Sequence, residues 1–184
     1  MKSVVLGIFL LLMGSWDLAA QNRVAADMSV KAPDFTLSDL KGNQVSLSDY
    51  AGKYLVIHIA TTWCPFCNAE APYLEGLFQK YRDRNVEALI IDVKEPKALV
   101  VERLQQRFNF SFPLLLDEDG SVAASFAPDN VLPDLARDEV MLASNLLIDP
   151  EGRIQYMSLL DSKNFDAKLV DLQEKLELLL NDDE

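Results

Sequence analysis

From Tyr54 to Ala60 the chain reads Tyr-Leu-Val-Ile-His-Ile-Ala, an apolar run of strand length broken only by His58. Such a run predicts a strand buried on both faces at the centre of a sheet. Val86 to Val93 has the same character and predicts a second strand. Between them Ala69, Tyr73, Leu74, Leu77, Phe78 and Tyr81 recur at helical spacing. Upstream, Phe35 to Leu40 and Gln44 to Leu47, joined by Lys41-Gly42-Asn43, predict a β-hairpin with a glycine-containing turn.

Downstream the alternation continues. Pro96 to Phe108 predicts a helix with proline in its first turn, and Phe112 to Leu116 a strand. Met141 to Ile148 and Arg153 to Leu159 flank the turn Asp149-Pro150-Glu151-Gly152 and predict a closing hairpin. Phe165, Leu169, Leu172, Leu176 and Leu179 form an apolar helical stripe before the acidic end from Asn181 to Glu184. The sum is an α/β chain: a mixed central sheet with helices on both faces.

The first twenty residues follow another logic. Lys2 gives a positive start, and Val4 to Met13 is an apolar core too short to span a bilayer comfortably. This predicts a signal peptide, 1–20, cut after Ala20 with Leu18 and Ala20 at the small-residue positions, or after Ala26 with Val24 and Ala26 there. Leu18 fits that pattern poorly, and an uncleaved anchor is the alternative. No cysteine lies near either cut, which argues against a lipid anchor. A single domain is expected over 30–184, in a periplasmic or other extracytoplasmic compartment, with no stable membrane insertion once the leader is removed.

Charge narrows the partners. The 184 residues carry 17 Lys and Arg against 29 Asp and Glu, a formal net charge of -12. Nucleic-acid binding is disfavoured, because phosphate contact needs clustered Lys and Arg.

The only two cysteines, Cys64 and Cys67, lie in Trp63-Cys64-Pro65-Phe66-Cys67, directly after the predicted central strand and at the start of the predicted helix. A structural zinc site normally takes four Cys or His ligands, and the only other residue of either type is His58. Haem attachment through Cys-x-x-Cys-His fails because Asn68 follows Cys67. A redox dithiol remains as the main reading beside a simple structural disulfide, and export favours either, since disulfides persist in oxidising compartments. At a helix N-terminus unpaired N–H groups and the helix dipole favour a thiolate, so Cys64 is the expected nucleophile and Cys67 the resolving thiol.

Ala32-Pro33-Asp34-Phe35-Thr36-Leu37, Gly52-Lys53-Tyr54-Leu55-Val56-Ile57, Ala60-Thr61-Thr62-Trp63-Cys64-Pro65-Phe66-Cys67 with Glu70 and Pro72, and Ser144-Asn145-Leu146-Leu147-Ile148-Asp149 with Gly152 together carry a resemblance. In order and spacing, from about Val30 to the C-terminus, the chain resembles the TlpA/ResA-like branch of the thioredoxin superfamily. The resemblance implies a thioredoxin-like fold with an added N-terminal β-hairpin and thiol-disulfide oxidoreductase activity outside the cytoplasm. It also implies a helix kink at Pro72, where proline removes a backbone hydrogen bond.

Several residues around the dithiol have two readings. Trp63 is either a flat surface for a partner peptide or a half-buried aromatic packing the loop. Pro65 suits the first helical turn, and Phe66, with no side-chain donor, acts on the sulfurs through shielding and shape or fills space. Glu70 either influences the thiols or stabilises the helix as an exposed first-turn acid. His58 stands where thioredoxins carry a buried aspartate and TlpA-like proteins often asparagine. It is a possible acceptor for the Cys67 proton, or a core histidine bonded to backbone.

Two departures from the family stand out. Ala143, followed by Ser144 and Asn145, occupies the place of a cis-proline that helps dock substrate backbone and is thought to discourage metal capture. A cis bond before alanine costs about 2.5 to 4 kcal/mol, so a trans bond or an unusual local backbone is expected. The segment from Ala127 to Glu139 is longer than the family connection; it either flanks the site and selects partners or is a plain surface insertion.

The expected function is disulfide exchange with thiols and disulfides of exported proteins, in the reducing direction, with an upstream redox donor and no cofactor. The substrate-contacting residues would be Trp63, Pro65, Phe66, Ala143 and Ser144. Two alternatives stay open: a metal or iron–sulfur module built from Cys64 and Cys67 of two subunits, and a peroxidase, because Thr61-x-x-Cys64 resembles the peroxiredoxin element. Against the latter, Ile57 stands where that family has proline and Ala143 where it often has arginine.

Overall fold

A computed structural model describes residues 30–182, so the leader and both of its cleavage sites lie outside the described residues. Seven strands form one sheet: β1 (Thr36–Asp39), β2 (Gln44–Ser46), β3 (Tyr54–Ala60), β4 (Val86–Val93), β5 (Leu114–Asp117), β6 (Ser144–Ile148) and β7 (Ile154–Ser158). Their order across the sheet is β2-β1-β5-β4-β3-β6-β7. β3 pairs in parallel with β4 and β4 with β5, while the remaining pairs are antiparallel. The two runs without polar alternation therefore sit side by side in the middle, where both faces are covered.

Helices complete the two faces. α1 (Pro65–Tyr81), α2 (Lys97–Val100), α3 (Gln106–Phe108) and α6 (Val170–Asp182) flank one; α4 (Ser121–Phe126) and α5 (Arg137–Val140) are short segments between β5 and β6. Leu74, Leu77, Leu104, Leu172 and Leu176 pack with Val56, Ile90 and Leu147 in one core. Leu47, Tyr50, Ala123, Phe126 and Met141 pack with Leu55, Ile57, Ile91 and Ile148 in the other. Residues of opposite parity on β3 and β4 thus serve opposite cores, as the two-residue strand period requires.

Four expectations are corrected. The predicted 96–108 helix has Pro96 as its extended N-cap and contains a π-helical turn, Val101–Gln105, between α2 and α3. β5 begins at Leu114, because Pro113 has no N–H to give the ladder and instead accepts from Ile90 N–H. β6 begins at Ser144, since Met141 to Ala143 form a turn in which Ala143 has a φ of 60°. Phe165 and Leu169 precede α6; Leu169, left-handed at φ 57°, reaches the core ahead of the helix, while Phe165 is half-buried against Phe66.

Candidate active site

β3 ends at Ala60, and Thr61 to Trp63 turn the chain so that Cys64 caps α1. Pro65 opens the helix at the position where a missing N–H costs nothing. Cys64 Sγ accepts the Cys67 N–H at 3.2 Å, the contact of a side-chain cap. Asn68 Nδ2 holds the turn from inside, donating to Thr62 O at 2.9 Å and Cys64 O at 2.7 Å. Both cysteines are free thiols, 4% and 2% exposed.

The two sulfurs are driven apart in acidity. A hydrogen bond from the Cys67 thiol, with the Cys67 and Phe66 N–H groups behind it, lowers Cys64 to about 6 against the opposing effect of burial. Cys67 is pushed strongly upward, first by giving that hydrogen bond, then by burial and by the charges of Cys64 and Glu70. One thiol is therefore ionised near neutral pH and the other holds its proton.

Beneath them runs a buried polar chain. His58, 1% exposed, lies next to Asn145 in the β3/β6 ladder, and its Nδ1 stands 2.9 Å from Asn145 Oδ1. Asn145 Nδ2 in turn donates to Glu70 Oε1 at 3.1 Å. Glu70 is 3% exposed, which removes its reading as an exposed first-turn acid. Burial, with a smaller push from the Cys64 charge, raises its carboxyl to about 8. Burial lowers His58 to about 4.

Geometry alone offers His58 and Glu70 as an ion pair, with Nδ1 and Oε2 3.3 Å apart. Those two acidities argue otherwise, because between about pH 4 and about pH 8 both groups are neutral. Nδ1–H is spent on Asn145, and both His58 Nε2 and Glu70 Oε2 have no hydrogen-bond partner. Glu70, not His58, is the group whose charge, once formed, adds to the upward push on the Cys67 thiol. Glu70 and Asn145 also line a cavity of about 40 Å³ with Ala143, Tyr156, Ser158 and Asp166, space for a few water molecules.

The other expected residues fall on both sides of the surface. Trp63 is 64% exposed, Pro65 is exposed, and Phe66 is half-buried with its ring edge-on to Phe165 at 4.8 Å between centroids. Ala143 and Ser144, by contrast, are 3% and 0% exposed, so their side chains do not face solvent. No cis peptide bond occurs among the described residues, and Ala143 takes the left-handed backbone while its N–H bonds Ile59 O at 2.9 Å. The expectation of a trans bond or an unusual backbone is met by both at once.

The long segment after Phe126 is tied down at one end. Arg137 donates to Val131 O and Pro128 O, and Asp138 pairs with Lys94 at 2.7 Å. Lys94 follows β4 directly, so this segment is fastened to the strand ends near the active-site loop. Leu132 and Leu135 remain exposed on it.

Sequence reasoning named Asn145 and Thr62 only as parts of motifs and missed Asp92 and Glu95 altogether. Asn145 was visible only as the end of a motif. Its contact with His58, 87 positions away, is set by strand pairing, and its contact with Glu70, 75 positions away, by the seating of α1 on the sheet. Among the described residues no group of three His, Cys, Asp or Glu side chains is arranged to hold a metal ion.

A two-thiol strand-to-helix junction on this mixed sheet defines a thioredoxin-like oxidoreductase. Comparison with known proteins agrees. The profile of the AhpC/TSA family matches residues 28–157. Thiol-disulfide oxidoreductase ResA of Geobacillus kaustophilus (strain HTA426) is 37% identical over 133 residues, covering 72% of this chain and 70% of the relative. ResA of Geobacillus thermodenitrificans (strain NG80-2) is 34% identical over 157 residues, covering 84% and 83%. The thioredoxin domain of a thiol-disulfide oxidoreductase from Bacteroides vulgatus superposes with a TM-score of 0.63 at 24% identity, covering 81% of this chain and 96% of that one; this likeness speaks for the fold. The chain belongs to the AhpC/TSA family and, within it, stands with the ResA-like thiol-disulfide oxidoreductases.

Proposed function

We propose that the protein exchanges disulfides with exported proteins through Cys64 and Cys67, in the reducing direction, outside the cytoplasm. The observation that carries this reading is the split acidity of the pair: a thiolate-forming Cys64 hydrogen-bonded by a Cys67 that keeps its proton. Cys64 thiolate attacks one sulfur of a partner disulfide; that S–S bond breaks, and the departing partner sulfur takes up a proton. Cys67 then gives up its proton and attacks Cys64. The mixed disulfide breaks, the second partner thiol leaves, and two electrons have passed from the dithiol to the partner.

Glu70 is suited to receive the Cys67 proton. It accepts in its ionised form, which the mixed disulfide favours because the Cys64 charge that helps hold its carboxyl up at about 8 is then gone, and it adjoins the small cavity that can pass protons to solvent. His58 serves by holding Asn145, which holds Glu70. Cys64 exposes so little surface that its partner must lie flat against Trp63, Pro65 and the edge of Phe66. The turn at Ala143 and Ser144 shapes the floor of that face. Export is supported by the leader pattern of residues 1–20, ahead of one domain over 30–184, and an upstream donor would return electrons to the oxidised pair.

Purified protein given a disulfide substrate and a dithiol donor tests this reading. Turnover is expected, and Cys64→Ser is expected to abolish it; a wild-type protein that turns over peroxide but no disulfide would overturn it.

A further inference from the structure

Behind the loop that carries the nucleophile sits a second buried acid. Asp92, on β4 beside Ala60, is 1% exposed, and neither of its carboxyl oxygens has a hydrogen-bond partner. A buried ionised carboxylate without a donor is costly, and such groups take up a proton instead. Glu95 is the charged side chain that acts on Asp92, and it lies within hydrogen-bond reach of the Asp92 carboxyl, a contact that needs a proton on one of the two acids. Glu95 in turn grips the active-site loop, accepting from Thr62 N–H and from Thr62 Oγ1 at 2.7 Å. Thr62 stands two residues before Cys64. Lys94 between the two acids has a φ of 60°, a backbone that costs about 1 kcal/mol or more outside glycine and is retained where the fold needs a particular direction.

We propose that Asp92 is a positioning residue for the active-site loop: its carboxyl shares one proton with Glu95 and so keeps Glu95 seated on Thr62. Two facing carboxylates have only acceptors to offer one another. One proton on Asp92 supplies the donor that is missing and leaves Glu95 free to accept both Thr62 hydrogens. When that proton is lost the two charges repel, Glu95 leaves Thr62, and the turn from Thr61 to Trp63 loosens.

Burial first and the Glu95 charge second place this change at about 8. The other titratable groups on the surrounding elements have their own partners. Asp117 on β5 accepts from Ala123 N–H, His58 on β3 lies against Asn145, Lys94 pairs with Asp138, Arg107 of α3 donates to Asn68, and at the start of α1 Cys64, Cys67 and Glu70 form the site already described. The catalytic consequence rests on the proposed disulfide exchange; the clamp itself does not.

The test is the Thr62 amide resonance, followed from about pH 6.5 to about pH 9.5 in protein carrying Cys64→Ser and Cys67→Ser, which silences both thiols. The resonance is expected to titrate with a midpoint at about 8, to lose that titration in Asp92→Asn, and to keep it in Glu70→Gln. Glu95→Gln, which retains an acceptor but cannot repel, is expected to be flat as well, and stands in should Asp92→Asn not fold. A titration that survives both Asp92→Asn and Glu95→Gln, or one that vanishes in Glu70→Gln, overturns the proposal; so does a flat response in the starting protein. With the thiols restored, Asp92→Asn should also remove the loss of disulfide exchange that the wild type shows above that pH.

Discussion

Removing the Cys67 sulfur should make Cys64 a weaker nucleophile, by an amount the site allows to be worked out. Cys64 is lowered from 9.0 to about 6, and the leading cause is the hydrogen bond from the Cys67 thiol. Three units correspond to about 4 kcal/mol favouring the thiolate. A hydrogen bond to a charged group contributes about 1.5 to 3 kcal/mol, hence about one to two units. In Cys67→Ala the Cys67 N–H bond to Sγ survives, because it comes from the backbone, and only the side-chain donor is lost. The thiolate fraction at about pH 7 should fall from about nine-tenths to between about a half and about a tenth. Cys67→Ser keeps a hydroxyl donor in the same place and should retain most of the shift. Ultraviolet thiolate absorbance against pH, checked by the pH dependence of alkylation, measures both variants without interference from a disulfide. If Cys67→Ala titrates where the wild type does, the helix terminus alone sets the acidity and the assigned cause is wrong.

Glu70→Gln preserves the contact with Asn145 but cannot take a proton, so release of the mixed disulfide should slow by at least about tenfold while the first attack changes little; equal rates of release would remove Glu70 from the proton path. His58→Ala takes away the partner of Asn145 and leaves a hole, and should cost about 2 to 4 kcal/mol in denaturant unfolding, with the resolving step slowed more than the attack. His58 is lowered from 6.5 to about 4, so its contribution is present above the unfolded value and lost as pH falls through the folded one; His58→Ala should flatten the acid limb of the stability profile. Asp92 has the opposite sign, raised from 3.8 to about 8, so its variant Asp92→Asn should gain on the wild type as pH rises across that window. Ala143→Gly should stabilise by about 1 kcal/mol, because φ 60° is free for glycine, whereas Ala143→Pro should cost about 3 kcal/mol or more by demanding a negative φ and deleting the N–H to Ile59 O. A thermal or denaturant scan of the pair decides this, and equal stabilities would contradict it.

The middle of the sheet was legible residue by residue. Tyr54–Ala60 and Val86–Val93 are apolar through their length because both faces are covered, and the structure reproduces those bounds. The dithiol at a strand-to-helix junction followed from that one placement. Less regular parts hid for physical reasons. Ser121–Phe126 and Arg137–Val140 are too short to display a helical period. Leu169 kept the spacing of α6 because it shares its core, although its left-handed backbone sets it outside the helix, and Phe165 fell in step while packing on Phe66 instead. Spacing also could not reveal that Glu70 points inward, since the outward position one turn from Cys67 looks identical in sequence. The Asp92, Glu95 and Thr62 cluster was invisible because it is assembled by parallel pairing of β3 with β4, which brings residues about thirty positions apart together.

The central claim is that Cys64 attacks and Cys67 resolves, and trapping tests it most directly. Wild type, Cys64→Ser and Cys67→Ser are each incubated with a disulfide-bearing protein, quenched in acid and read by intact mass. Cys67→Ser should accumulate a covalent adduct through Cys64, and Cys64→Ser should form none. Equal adducts from the two variants, or an adduct from Cys64→Ser alone, would contradict the assignment.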